Sequence, residues 1–135
     1  MSFLLDTNIV SDLRRPTRSR AGLLAWFREQ PPDALYLSVI TLGEIRQGIE
    51  QIRPRDGRQA RNLDRWLDDL PRLYGDRLLP IDTLVADEWG RLRAGRTLPV
   101  VDTLIAATAR VHDLTLVTRN EKDFTDLGLT ILNPS

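Results

Sequence analysis

The sequence predicts an α/β fold, a single domain with a central, mainly parallel β-sheet flanked by α-helices. Three observations carry that prediction. Short apolar runs alternate along the chain with segments whose apolar residues recur at helical spacing, the pattern of strands joined by crossover helices. The length, 135 residues, suits one compact core. No repeat, low-complexity stretch or long linker divides the chain, so the expected domain spans residues 1–135.

The elements follow in order. Phe3-Leu4-Leu5 is an apolar run that stops at Asp6, as a buried strand would. A helix is expected from about Arg18 to Gln30, with Leu23, Leu24, Trp26 and Phe27 on its apolar side and Pro31-Pro32 ending it. Leu35 to Ile40 predicts a strand that leads into a helix from about Thr41 to Arg53, stopped by Pro54. After the charged stretch Arg55 to Arg65, Leu63, Leu67, Leu70 and Tyr74 define a solvated helix with one buried stripe. Arg77 to Ile81 predicts a short strand, and Val85, Trp89 and Leu92 another helix. Asp102 to Val111, rich in Ala and aliphatic residues, predicts a buried helix whose alanines permit close packing. Leu114 to Thr118 and Leu129 to Leu132 complete the strands.

Composition narrows the chemistry. With no cysteine, disulfides, thiolate metal sites and cysteine nucleophiles are excluded together. The single histidine, His112, leaves little material for a zinc site or a histidine-based nuclease; at the end of the Ala-rich helix it suits the helix dipole. The N-terminus lacks the basic start and long apolar run of a signal peptide, and no segment has the length of a membrane helix. A cytoplasmic protein with no membrane partner is expected. Formal net charge is zero, which argues against coating nucleic acid by bulk electrostatics. Eighteen of the nineteen basic residues are arginine and only Lys122 is lysine. Arginine is the better bidentate phosphate ligand, although coding bias explains the same richness.

In a parallel α/β sheet ligands bind outside the carboxyl ends of the strands. Asp6 follows the first strand, Glu44 lies early in the helix after the second, and Asn120 and Asp123 follow the strand Leu114–Thr118. Asp102 opens a helix and joins them through the fold. Carboxylates gathered in this way repel one another, and a hard divalent cation resolves the conflict. Each also has a structural reading. Asp6 suits an N-cap. Thr41-Leu42-Gly43-Glu44 fits a capping box. Asp102 suits the positive end of a helix dipole, and Asn120 to Asp123 has cap-like spacing. The cluster Arg14, Arg15, Arg18 and Arg20 either steers a phosphate backbone or forms a solvated surface. Trp26, Trp66 and Trp89 lie in helical patterns, as packing residues do. No nucleophile elbow surrounds Ser11 or Ser38, so no serine triad is expected.

Four motifs are more specific. Leu4-Leu5-Asp6-Thr7-Asn8-Ile9-Val10-Ser11, Leu37 to Gly48 with Glu44, Val101 to Ala109 with Asp102, and Leu116-Val117-Thr118-Arg119-Asn120 with Asp123-Phe124 resemble, in order and spacing, the four signatures of PIN-domain proteins. Among these the likeness is to VapC-type toxins, including the FitB-like branch, which shares the Arg-Pro step after the first motif and the stretch Leu79 to Asp82.

The resemblance implies a PIN fold and a Mg²⁺-dependent endoribonuclease, with Mn²⁺ as a substitute, acting as the toxin of a type II toxin–antitoxin pair. It implies a small VapB-like antitoxin that covers the active site and binds operator DNA, so that the chain reaches DNA only through it. A homodimer or toxin–antitoxin hetero-oligomer follows from the same likeness. By position, Asp6, Glu44 and Asp102 are the catalytic acids, with Asp6 and Asp102 the principal metal ligands. Thr7 and Asn8 support Asp6, and Thr118 lines the site. Asn120 departs from the pattern, since many relatives carry Asp there; Asp123 is the candidate to replace it. The alternative function is a catalytically weak or inactive PIN-like module acting through antitoxin and DNA binding. A phosphatase or phospho-receiver is disfavoured, because Asn8 breaks the Asp-x-Asp pair and Lys122 lies in a charged turn.

Overall fold

The structure is a computed structural model, and it describes residues 1–15 and 21–134. Five strands form one parallel sheet: β1 (Phe3–Leu5), β2 (Leu35–Ser38), β3 (Leu78–Leu79), β4 (Thr115–Val117) and β5 (Ile131–Leu132), in the order β3-β2-β1-β4-β5. The helices are α1 (Thr7–Arg14), α2 (Ala21–Glu29), α3 (Val39–Ile52), α4 (Gly57–Tyr74), α5 (Thr83–Arg93) and α6 (Val100–Val111). The expected α/β architecture is therefore observed.

Side chains alternate across the sheet, as the two-residue period of a strand requires. Phe3, Leu5 and Val117 enter one core with Ile9, Ile45 and Leu63 from the helices α1, α3 and α4. Leu4 and Leu116 enter the other with Ile105, Ala106 and Ala109 of α6. Both faces of β1 are thus covered, which is why its sequence is an unbroken apolar run. In α4 the buried residues Ala60, Leu63, Leu67 and Leu70 form a single stripe, as expected. The helix stops at Gly75, whose φ of +53° is open to glycine without steric cost.

Several boundaries differ from expectation, for local reasons. The strand β2 ends at Ser38, and α3 starts at Val39 because the Ser38 hydroxyl accepts from the Ile40 N–H at 3.1 Å. The stretch Arg77 to Ile81 forms only the two-residue edge strand β3, preceded by a 3-10 turn that includes Arg77. β5 is similarly short. The helix expected from Arg18 is described as α2 from Ala21; Arg18 and Arg20 lie outside the described residues. Trp26 packs edge-on against Phe3 with ring centroids 4.9 Å apart. Trp66 carries the Arg14 guanidinium, and Trp89 that of Arg93, so all three tryptophans have packing roles. His112 is the C-cap residue of α6. No helix among the described residues is long and apolar enough to cross a membrane.

Candidate active site

The strand order places β1 between β2 and β4. Connections from β1 to β2 and from β3 to β4 therefore leave in opposite directions, which opens a crevice at the carboxyl ends of β1 and β4. Asp6 stands at one lip and Thr118 at the other.

Asp6 is both a helix cap and a member of the acid cluster. Its backbone is extended and its Oδ1 accepts from the Thr7 N–H at 2.8 Å, capping α1. Oδ2 accepts from the Thr118 hydroxyl at 2.7 Å and from Asn8 Nδ2 at 3.2 Å. Only 5% of Asp6 is exposed. Burial raises its pKa, opposed by the bonds from Thr118 and Thr7; the charge of Asp123 raises it further and Arg119 lowers it.

Glu44 does not close a capping box. Ser38 is the N-cap of α3, and Thr41, the expected cap, is fully buried within the helix. Glu44 Oε1 instead accepts from the Thr7 hydroxyl at 2.5 Å, and the Thr7 and Thr41 hydroxyls lie 3.1 Å apart. Thr7 thus joins α1 to α3 immediately beside Asp6.

Asp102 sits in the first turn of α6, where the N-cap is Pro99 and gives no side-chain cap bond. Its half-buried carboxyl is pushed up to about 6, first by burial and then by the charges of Asp6, Asp123 and Glu44. The charges of three acids from three other parts of the chain therefore act on Asp102.

The fourth acid is Asp123. It lies in the 3-10 turn Glu121–Phe124, held down by the buried Phe124. Asn120 is exposed and makes no side-chain cap bond; its backbone N–H donates to Thr118 Oγ1 at 3.0 Å. The cap-like spacing of Asn120 and Asp123 is therefore not a side-chain cap.

Asp12 and Thr41 carry contacts that motif spacing did not reveal. Asp12 lies 2.8 Å from the Arg119 guanidinium, a contact between α1 and the corner after β4 that only the fold supplies. Beside Glu44, a groove of about 310 Å³ runs between α1, α3 and α4, lined by Ser11, Arg14, Ile45, Ile49 and Trp66. Arg14 is the last residue of α1.

Among the described residues, no three Asp, Glu or His side chains converge tightly enough to hold an ion unaided. The donor set nevertheless fits a hard divalent cation. Its oxygens include two carboxyls whose ionisation is disfavoured by burial and by neighbouring acids. A cation such as Mg²⁺ needs only one or two direct carboxylates and keeps water as its other ligands.

The chain is similar to known proteins over nearly its whole length. The PIN domain family model matches residues 3–128. Toxin FitB of Neisseria gonorrhoeae is 33% identical over 138 residues, covering 97% of this chain and 96% of that protein. VapC ribonuclease Y4jK of Sinorhizobium fredii is 36% identical over 137 residues, with the same coverage of 97% and 96%. The structure of FitAB bound to an IR36 DNA fragment superposes with a TM-score of 0.86 at 30% identity, over 98% of this chain and 94% of that one.

Proposed function

The chain belongs to the PIN-domain family, and from that premise we propose that it is the ribonuclease toxin of a toxin–antitoxin pair, hydrolysing RNA phosphodiester bonds with a divalent cation. The observation that carries this reading is the coupling of Asp6, Glu44, Asp102 and Asp123 at the sheet crevice. A site built only for stability would not set three further carboxyls where their charges oppose the ionisation of Asp102.

Asp6 and Asp102 would hold the cation, with Mg²⁺ the proposed ion and Mn²⁺ a substitute. When bound, it supplies Lewis acidity toward the phosphodiester and its attacking water. The remaining work belongs to the chain. Thr118, Asn8 and the Thr7 N–H fix both oxygens of Asp6. Thr7 aims Glu44 toward the same crevice, where it serves as the third acid. Asp123 adds negative charge at the open side.

We assign the chain a small VapB-like antitoxin as partner and operator DNA through that antitoxin alone. The resemblance of the motifs and the likeness to FitAB, solved with a DNA fragment, support this. A cytoplasmic setting, and a homodimer or toxin–antitoxin hetero-oligomer, complete the proposal. The loose gathering of the acids and the neutral Asn120 favour one second reading, a catalytically weak or inactive module that acts through antitoxin and DNA.

A cleavage assay on single-stranded RNA separates the two. Cleavage with Mg²⁺ or Mn²⁺, abolished by chelator and by Asp6→Asn or Asp102→Asn while the fold survives, is the expected result. Wild-type activity in chelator would overturn the metal-dependent mechanism. Antitoxin binding with no cleavage under either metal would favour the second reading.

A further inference from the structure

The corner after β4 carries a cation that the chemistry above does not use. Arg119 directly follows the buried Thr118, and α1 grips it twice. Its backbone N–H donates to Asn8 Oδ1 at 3.4 Å, and its Nε lies 2.8 Å from Asp12 Oδ2. Asn8 and Asp12 stand four residues apart on α1, so both grips come from one helix face. The same Asn8 amide donates to Asp6 Oδ2. One side chain therefore ties the Asp6 carboxylate to the backbone that bears the guanidinium.

The guanidinium is not used up by these contacts. Its side chain is 37% exposed, and a five-donor fork exceeds what one carboxylate can accept through a single face. Its charge acts on Asp6, so it lies at the edge of the acid cluster. Asp12 offsets part of that charge, which lets directional N–H donors stand near a cation site without strongly opposing it. Beside Arg119 is a hollow of about 270 Å³, lined also by Asn120, Glu121, Lys122 and Asp123, so that two cations face two acids across it. The only lysine in the chain thus shares a concavity with Arg119, next to the fourth acid.

Resting on the ribonuclease reading, we propose that Arg119 and Lys122 form a subsite for an RNA backbone phosphate adjacent to the one cleaved, with Asp12 as the positioning residue that aims the guanidinium. A planar fork suits phosphate oxygens. Phosphate contacts of this kind set register along the strand without reading its bases. The subsite therefore places the RNA backbone, and base preference arises elsewhere.

The test is equilibrium binding of a labelled single-stranded RNA to the full chain in chelator over a range of salt concentrations, together with steady-state cleavage in Mg²⁺. Arg119→Gln is expected to weaken binding roughly tenfold and to make the salt dependence shallower by about 0.7 in log–log slope. In cleavage, KM rises while kcat changes little. Arg119→Lys keeps the slope but loses part of the affinity, and it serves as the informative variant if Arg119→Gln does not fold. Asp12→Asn raises KM with the slope unchanged. Wild-type affinity, slope and KM in a folded Arg119 variant would overturn the subsite. Wild-type protein that neither binds nor cleaves RNA would overturn the ribonuclease reading beneath it.

Discussion

The Thr118 hydroxyl donates to Asp6 Oδ2 at 2.7 Å, joining residues that end two neighbouring parallel strands and that stand 112 positions apart in the chain. Thr118 is fully buried and Asp6 nearly so, so neither group can exchange this partner for water. Removing the donor leaves a buried carboxylate short of one bond. Thr118→Val is expected to destabilise the metal-free protein by about 1–3 kcal/mol at neutral pH. Thr118→Ser keeps the hydroxyl and loses one methyl, at about 1 kcal/mol. Chemical denaturation of both variants checks this. A loss for Thr118→Val no larger than that for Thr118→Ser would mean that the hydrogen bond contributes no more than one buried methyl.

Asp102 makes stability depend on pH. Its folded-state pKa of about 6 exceeds the ordinary 3.8, so between these values the folded state binds more protons than the unfolded chain. Stability of the metal-free protein therefore falls as pH rises through that window and is level above it. Asp6 is shifted in the same direction. Melting temperatures in chelator should show this fall, and Asp102→Asn should reduce it while leaving the contribution of Asp6. Mg²⁺ should raise the wild-type melting temperature at neutral pH and have much less effect on the variant. Parallel pH profiles for the two proteins would remove Asp102 as the cause.

Thr7 gives a test of how Glu44 acts. Its hydroxyl is the donor to Glu44 Oε1, while its backbone N–H serves Asp6. Thr7→Val removes the first contact and preserves the second. The expected cost in stability is about 0.5–1.5 kcal/mol, the net value of one hydrogen bond. The loss in kcat should approach that of Glu44→Gln if orientation of the carboxylate is what matters. Combining the two changes should then cost little more than Glu44→Gln alone. Additive losses would mean that Thr7 and Glu44 act independently.

The parts of the site that were legible in the sequence are those set by adjacent residues. Phe3-Leu4-Leu5 stops at Asp6 because the strand ends there, and α6 carries Asp102 in a first turn that its apolar pattern locates. Strand order was not legible. Period-two alternation assigns each side chain to a face, but it does not say that β4 lies beside β1 and closes Thr118 onto Asp6. Glu44 shows the same limit. Thr41 and Glu44 have capping-box spacing, yet Ser38 lies nearer the strand end and takes the cap. Both residues of the apparent box are then turned toward Thr7, a contact only the folded chain can supply. The pairing of Asp12 with Arg119 was hidden for the same reason.

The fourth acid can be identified by separating Asp123 from Asn120. The charge of Asp123 acts on both Asp6 and Asp102, whereas Asn120 contributes a backbone N–H to Thr118. A neutral amide whose contribution is its main chain should tolerate replacement, so Asn120→Ala is expected to leave cation affinity and cleavage near wild type. Asp123→Asn removes a negative charge that faces the pair proposed to hold the ion. Its expected effect is a loss of roughly fivefold in affinity for Mg²⁺ or Mn²⁺, measured by calorimetric titration, with the salt dependence of cation binding reduced. It should also lower the pKa of Asp102, because one of the three acids raising it is gone; a carboxyl-resolved NMR titration in chelator reads that shift directly. The opposite ranking, with Asn120→Ala the more damaging change, would move the fourth position back to residue 120. It would also mean that an amide oxygen there, and not the displaced carboxylate, completes the site.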